Sequence, residues 1–400
     1  MVIDLALPVA GIFDDLVARP ADALLGIIAA HRADPRPDKI DLGVGVFRDD
    51  DGRTPVMHAV KAAERQLVET QATKAYLGAE GDQDYTDALA IVALGHRIAA
   101  SHRLTGVQTP GGTGALRLGA ELIERANRQA TVWIGWPTWP NHAPLFRSAG
   151  LKVAEHRFYD PTDGSIDMDG LMADLADARP GDVLLLHGCC HNPTGANFTP
   201  DQWRAIAQLC QTRGLIPFID LAYQGLGDGL EADAAATRTL MDSVPNALLA
   251  YSCDKNFGLY RDRVGALWLH ADTAETAALA RSNMLSIARS LWSMPPDWGA
   301  AIVRTILASP SLTADWQAEL DVMRMRINAL RTALANAHPA LAPIGQQRGM
   351  FALLPIDAQA VRRLREDHGV YMAGNGRISI AGLTMGNIAP FANALKPYLA

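Results

Sequence analysis

From Ala130 to Asp220 short apolar runs alternate with helical stretches, and this alternation limits the fold more than any other feature of the chain. Residues 130–135, 183–187 and 215–219 read as strands, and residues 203–213 read as a helix. Strands interleaved with helices give a mostly parallel sheet with helices on both faces, because parallel neighbours need long crossover connections. In such sheets ligands gather at the carboxyl ends of the strands. His191-Asn192-Pro193-Thr194-Gly195 follows the second run, Asp220 ends the third, and Tyr223 lies just beyond it. A further apolar run, 247–250, leads into Ser252-Cys253-Asp254-Lys255-Asn256-Phe257-Gly258, with Arg261 and Arg263 close behind. Asn192, Asp220 and Lys255 thus occupy equivalent strand-end positions.

A lysine just past a buried strand is a candidate for an amine that forms a Schiff base, since burial beside other cations favours loss of its proton. Upstream, Val107 to Arg117 runs from a short strand through Gly111-Gly112-Thr113-Gly114 into a helix. A glycine turn opening a helix offers backbone N–H groups and the positive end of the helix dipole to an anion such as phosphate. An ordinary tight turn has the same composition, and neither the Walker A nor the Gly-x-Gly-x-x-Gly spacing is present. Pyridoxal phosphate needs an amine for its aldehyde, a carboxylate for its ring nitrogen, a phosphate cup and a flat group against its ring. Lys255 and Asp220 supply the first two; Gly111, Gly112, Thr113, Ser252 and Arg263 supply the cup. Trp139 can stack on the ring, while Asn192 and Tyr223 can bind the ring oxygen. The same three residues are also compatible with core packing (Trp139, Tyr223) or a turn cap (Asn192).

Composition excludes other classes. A chain of 400 residues, 49% hydrophobic and 20% charged, has the profile of a soluble globular protein of enzyme size. The net charge of -7 and 36 scattered basic residues argue against nucleic acid as the main partner. The N-terminus, with Asp4, Asp14 and Asp15, does not read as a secretory signal, and no apolar stretch is long enough for a bilayer, so the expected compartment is the cytoplasm. Four cysteines do not make a disulfide framework. His187, Cys189 and His191 would share one side of an extended strand and raise a metal site, but no second ligand cluster follows at zinc spacing, so no metal is expected.

At the ends, a helix is expected at 21–33, started by Pro20, then a strand at 41–48, a turn at 49–52, and helices at 56–70 and 84–101. Tyr76 falls in a loop between those last two. A long helix at 312–337 leads into a second domain, with strands at 349–354 and 377–381 and helices at 358–367 and 385–399.

His187-Gly188-Cys189-Cys190-His191-Asn192-Pro193-Thr194-Gly195, Asp220-Leu221-Ala222-Tyr223, Ser252-Cys253-Asp254-Lys255-Asn256-Phe257-Gly258-Leu259-Tyr260 and Gly376-Arg377 together resemble the aspartate and aromatic aminotransferases of the class I, fold-type I pyridoxal-phosphate enzymes. The resemblance implies an α/β fold with a large domain, 48–310, whose mostly parallel seven-stranded sheet is covered by helices. A smaller α+β domain would be built from both chain ends, 1–47 and 311–400. It implies a homodimer with shared active sites and pyridoxal 5'-phosphate as cofactor. Lys255 would be the Schiff-base lysine and the acid and base of the reaction. Arg377 would bind the substrate α-carboxylate with Asn192, Trp139 and Gly45. Arg289 and Tyr76 would reach the neighbouring subunit's distal substrate carboxylate and cofactor phosphate. The implied reaction is ping-pong transamination between an aromatic or acidic amino acid and 2-oxoglutarate; an aspartate-preferring enzyme, or a lyase or decarboxylase on the same fold, are the alternatives. Four residues depart from the family pattern: Asp254 replaces a serine, Phe47 a tyrosine, Ala75 a polar residue, and Met294 an asparagine or serine. Ala75 and Met294 make the pocket wall less polar and favour aromatic side chains.

Overall fold

The computed structural model of the chain describes residues 11–18 and 23–399. Seven strands form the central sheet: β1 (Leu104–Pro110), β2 (Thr131–Trp136), β3 (Lys152–Arg157), β4 (Val183–His187), β5 (Ile216–Leu221), β6 (Ala247–Ser252) and β7 (Val264–His270). Their order is β1-β7-β6-β5-β4-β2-β3. Neighbours from β6 through β3 pair in parallel, and β7 alone runs antiparallel to both its neighbours. The expected mostly parallel sheet is therefore present. Its one reversed strand follows from the short 253–263 connection, which leaves no room for a helical crossover.

Every residue of β6 is buried, as are the first four of β4. Helices cover both faces, so these strands are continuously apolar instead of alternating. Register places His187 opposite Asp220 and Asp220 opposite Ala250. The loops that follow β4, β5 and β6 consequently open side by side, and they carry Asn192, Tyr223 and Lys255.

The helix Gly111–Ala126 starts directly from β1 and packs on the sheet. The helix Pro200–Arg213 is closed at both ends: Thr199 and Gln202 form a capping box, and Gly214 takes a left-handed φ of 66° past its last turn. The long helix Pro310–Ala335 begins with Ser309 accepting from Leu312 N–H. Near its start Trp316, fully buried, stacks on Phe257 with ring centroids 4.3 Å apart and planes 5° apart. Its indole N–H donates to the Asn256 carbonyl at 2.7 Å. The helix is thereby pinned to the residues next to Lys255.

Segments from the first and last parts of the described chain form two small sheets. Ile40–Asp41 pairs in parallel with Val370–Tyr371, and Phe351–Leu353 pairs antiparallel with Arg377–Ser379. The strand expected at 41–48 shrinks to Ile40–Asp41. Asp41 turns the chain, with Oδ1 accepting from Gly43 N–H at 3.0 Å and Oδ2 pairing with Arg48 at 2.5 Å. The helix Ala23–Ala33 ends where expected, while its expected start at 20–21 lies outside the described residues. Among the described residues, no helix is long and apolar enough to cross a membrane.

Candidate active site

A pocket of about 170 Å³ lies where the loops after β4, β5 and β6 converge, and it brings most of the sequence-predicted residues together. One end is an anion cradle. Gly111 opens its helix with φ 71°, and a Cβ there would stand 2.5 Å from Arg263 Nη2. A Cβ on Gly112 would stand 3.0 Å from Ser252 Cβ. The glycines let a guanidinium and a hydroxyl close onto the helix N-terminus, and Thr113 also lines this end. Arg263 is itself in a left-handed conformation, φ 57°, and donates to the Tyr260 carbonyl at 3.1 Å. Free N–H groups, a helix dipole and an arginine fork together can hold an anion such as a phosphate group.

At the other end is a buried acid. Asp220 Oδ2 lies 3.1 Å from His142 Nε2, whose other nitrogen lies 2.8 Å from Thr138 Oγ1. Because an ionised carboxylate only accepts, the imidazole carries its hydrogen on Nε2 and receives the threonine hydroxyl on Nδ1. Burial pushes the Asp220 carboxyl up, but the hydrogen bond from His142 and the nearby His142, His187 and Lys255 outweigh it and leave it below its ordinary value. His187 is pushed down to about 3, chiefly by burial, and is neutral. An ionised acid thus faces the pocket, arranged for a cationic partner.

Lys255 lies between these ends. Burial lowers its pKa, helped by Arg263 and opposed by Asp254 and Asp220. Its Nζ stands 5.1 Å from the centroid of the Tyr223 ring. Tyr223 is held protonated, first by burial and then by the Asp220 charge, so its hydroxyl is a donor. Asn192 Oδ1 is buried with no partner. Trp139 lines the pocket and meets His142 edge to face at 5.2 Å.

Arg377 approaches from the C-terminal strand pair. It donates to the Gly43 carbonyl at 2.9 Å, lies 4.7 Å over the Phe351 ring, and keeps its Nε buried without a partner. Gly45 lies against the same ring, which also meets Tyr223 edge to face. Five predicted residues are outside the lining of this pocket: Gly111, Gly45 and Arg377, placed as above, and Tyr76 and Arg289, which lie at the surface. Tyr76 is 94% exposed, and Arg289 is exposed in the last turn of the helix Ala274–Leu291, bonded to Ser293 Oγ at 2.6 Å. The loop bearing Tyr76 is tied to the segment after that helix by Leu77 N–H donating to Met294 Sδ.

His142 went unread in the sequence as a site residue. The signal that could have found it was Asp220 itself, since a carboxylate at the end of a buried strand requires a donor. The alternation proposed for His187, Cys189 and His191 does not occur, because β4 ends at His187. Instead His142, His187 and Asp220 form one cluster, and Cys189, Cys190 and Asp233 form another. The four cysteines are free. A larger cavity of about 380 Å³ lies beyond His187, but it contains neither Lys255, Asp220 nor the cradle.

Residues 37–395 match the family model described as aminotransferase class I and II. The chain is 49% identical over 384 residues to a tyrosine aminotransferase of Rhizobium meliloti, covering 95% of this chain and 98% of that protein. It is 42% identical over 396 residues to the aspartate aminotransferase of Escherichia coli, covering 97% and 100%. Among solved structures, the aromatic-amino-acid aminotransferase of Burkholderia pseudomallei, covalently bound to pyridoxal phosphate, superposes with a TM-score of 0.94 at 38% identity, over 98% of this chain and all of that one. A pocket that pairs a buried amine with an ionised acid and an anion cradle is thus found in a chain that belongs to the class I and II aminotransferase family.

Proposed function

We propose that this chain transfers an amino group between an aromatic or acidic L-amino acid (tyrosine, phenylalanine, tryptophan or aspartate) and 2-oxoglutarate, giving a 2-oxo acid and glutamate in a ping-pong cycle. The observation that carries this reading is the convergence of Lys255, Asp220 and the Gly112–Arg263 cradle on one pocket. The names of the relatives support the choice of aromatic and acidic donors. The pocket fits pyridoxal phosphate: a Cβ at Gly111 would fill the cradle, and the unpartnered Asn192 oxygen and the ionised Asp220 await polar partners. When bound, pyridoxal phosphate supplies a ring that draws electrons away from the substrate α-carbon.

The residues divide the remaining work. Gly111, Gly112, Thr113, Ser252 and Arg263 hold the phosphate. Asp220, oriented by His142, keeps the ring nitrogen charged. Asn192 and Tyr223 would bind the ring oxygen, and Trp139 would offer its flat face to the ring. Burial makes the Lys255 amine easier to deprotonate, which suits it to take a proton from the substrate α-carbon and return it. Arg377 grips the α-carboxylate, with Asn192, Trp139 and Gly45 shaping that end.

The working unit is a homodimer in which Tyr76 reaches the neighbour's cradle and Arg289 the neighbour's distal carboxylate. Supporting this, both residues are exposed, and so are the apolar Ile12, Phe13, Leu16 and Val17 of the N-terminal segment. The division into 48–310 and 1–47 with 311–400 rests on the pairing of Ile40–Asp41 with Val370–Tyr371. The expected location is the cytoplasm.

Lys255→Ala tests the reading. The purified variant is expected to lack the visible cofactor absorbance and to lose turnover by a factor of about 10⁴ or more. Retention of both the absorbance and normal turnover would overturn it.

A further inference from the structure

A carboxylate stands inside the anion cradle. Asp254 is 6% exposed, and its Oδ2 lies 2.5 Å from Arg263 Nη1, while its Oδ1 is buried with no partner. Asp254, Ser252, Arg263 and the Gly112–Thr113 helix terminus all line the same pocket. Arg263 is the sole arginine in that lining, and the side-chain ion pair it makes is with Asp254.

A phosphate ester carries about -1.5 to -2 charges at neutral pH. It would arrive at a guanidinium whose charge is already met, beside a buried carboxylate that repels it. A serine at this position would offer a hydroxyl donor instead.

We propose that Asp254 is an affinity-setting residue, a resident anion that competes with the cofactor's phosphate for Arg263. This rests on reading the cradle as the phosphate site. The aldehyde form of the cofactor is retained by its covalent link to Lys255. The amine form would have no such link, so the cradle's grip on the phosphate would carry a larger share of its binding.

The test uses full-length apoenzyme with Asp254 intact, Asp254→Ser and Asp254→Asn. Binding of pyridoxamine phosphate is followed by tryptophan fluorescence, since Trp139 lines the pocket. Inorganic phosphate is measured by competition, and pyridoxamine without phosphate serves as the uncharged comparison. Both variants are expected to bind pyridoxamine phosphate and inorganic phosphate about tenfold tighter or more, with pyridoxamine changed less than about twofold. A merely structural role would shift all three probes together. Equal or weaker phosphate binding in both variants, or an equal gain for pyridoxamine, overturns the proposal. Failure of all three proteins, unsubstituted and variant, to bind either phosphate compound removes the reading of the cradle itself, which separates the two failures.

Discussion

His142→Ala would strand a buried charge, and the size of the effect follows from the geometry. His142 is fully buried and makes one bond to Asp220 at 3.1 Å and one to Thr138 at 2.8 Å. Removing the hydrogen-bond donor of a buried carboxylate leaves its charge uncompensated, which costs a few kcal/mol, and the void left by the ring adds to it. A total of about 4 kcal/mol is expected. With an unfolding entropy of about 2.1 cal/mol/K per residue over 400 residues, that is a fall in Tm of about 5 °C in the apoenzyme. The effect also has a pH signature. In the unsubstituted protein the Asp220 carboxyl is depressed, so its contribution to stability is present above the ordinary carboxylate value of 3.8 and is lost as pH falls through the folded value. Without His142, burial is the leading influence and raises the carboxyl, so the ionised group becomes a burden at neutral pH that protonation relieves as pH falls. Scanning calorimetry of apoenzyme at pH 7.5 and 5.5 should show the Tm deficit shrinking at the lower pH. His142→Gln, which keeps a neutral donor, should recover part of the loss. A deficit under about 1 °C at pH 7.5, or one equal at both pH values, would refute the reasoning.

Arg289→Leu, assayed with a panel of amino donors and 2-oxoglutarate, should lower kcat/KM for aspartate by about 10²-fold or more while leaving tyrosine and phenylalanine within about fivefold. Equal losses for both classes would remove Arg289 from the distal carboxylate. Lys255→Met should raise the Tm of the apoenzyme by about 1–2 °C at pH 7.5, because a buried amine with a lowered pKa opposes folding while it is charged. The gain should shrink as pH rises toward the ordinary lysine value of 10.5, where the unfolded chain also loses its proton. A destabilised methionine variant at every pH would contradict the assignment.

The strands that carry the pocket were legible because burial on both faces writes itself as unbroken apolar sequence. β4 was read to the residue, and β6 was read from its first residue. The site was legible wherever a polar residue closes such a run, as Asp220 does. What stayed hidden depended on contacts distant in sequence. His142 lies 78 residues before Asp220 in the chain and gives no pattern of its own. The 41–48 segment has strand composition, yet Asp41 spends its side chain on Gly43 and Arg48 and bends the chain. Tyr76 and Arg289 gave the opposite difficulty: the family resemblance assigns both to a site, but one folded chain leaves both at its surface.

The Trp316–Phe257 stack has a mechanical corollary. Because the indole also holds the Asn256 carbonyl, the first turns of the long helix and the residue after Lys255 form one solid piece. Any swing that carries Arg377 toward or away from a bound substrate must therefore flex beyond residue 316 in the 26-residue helix Pro310–Ala335, or in the connections to the C-terminal strands. Arg377 can then travel while the Lys255 amine stays fixed.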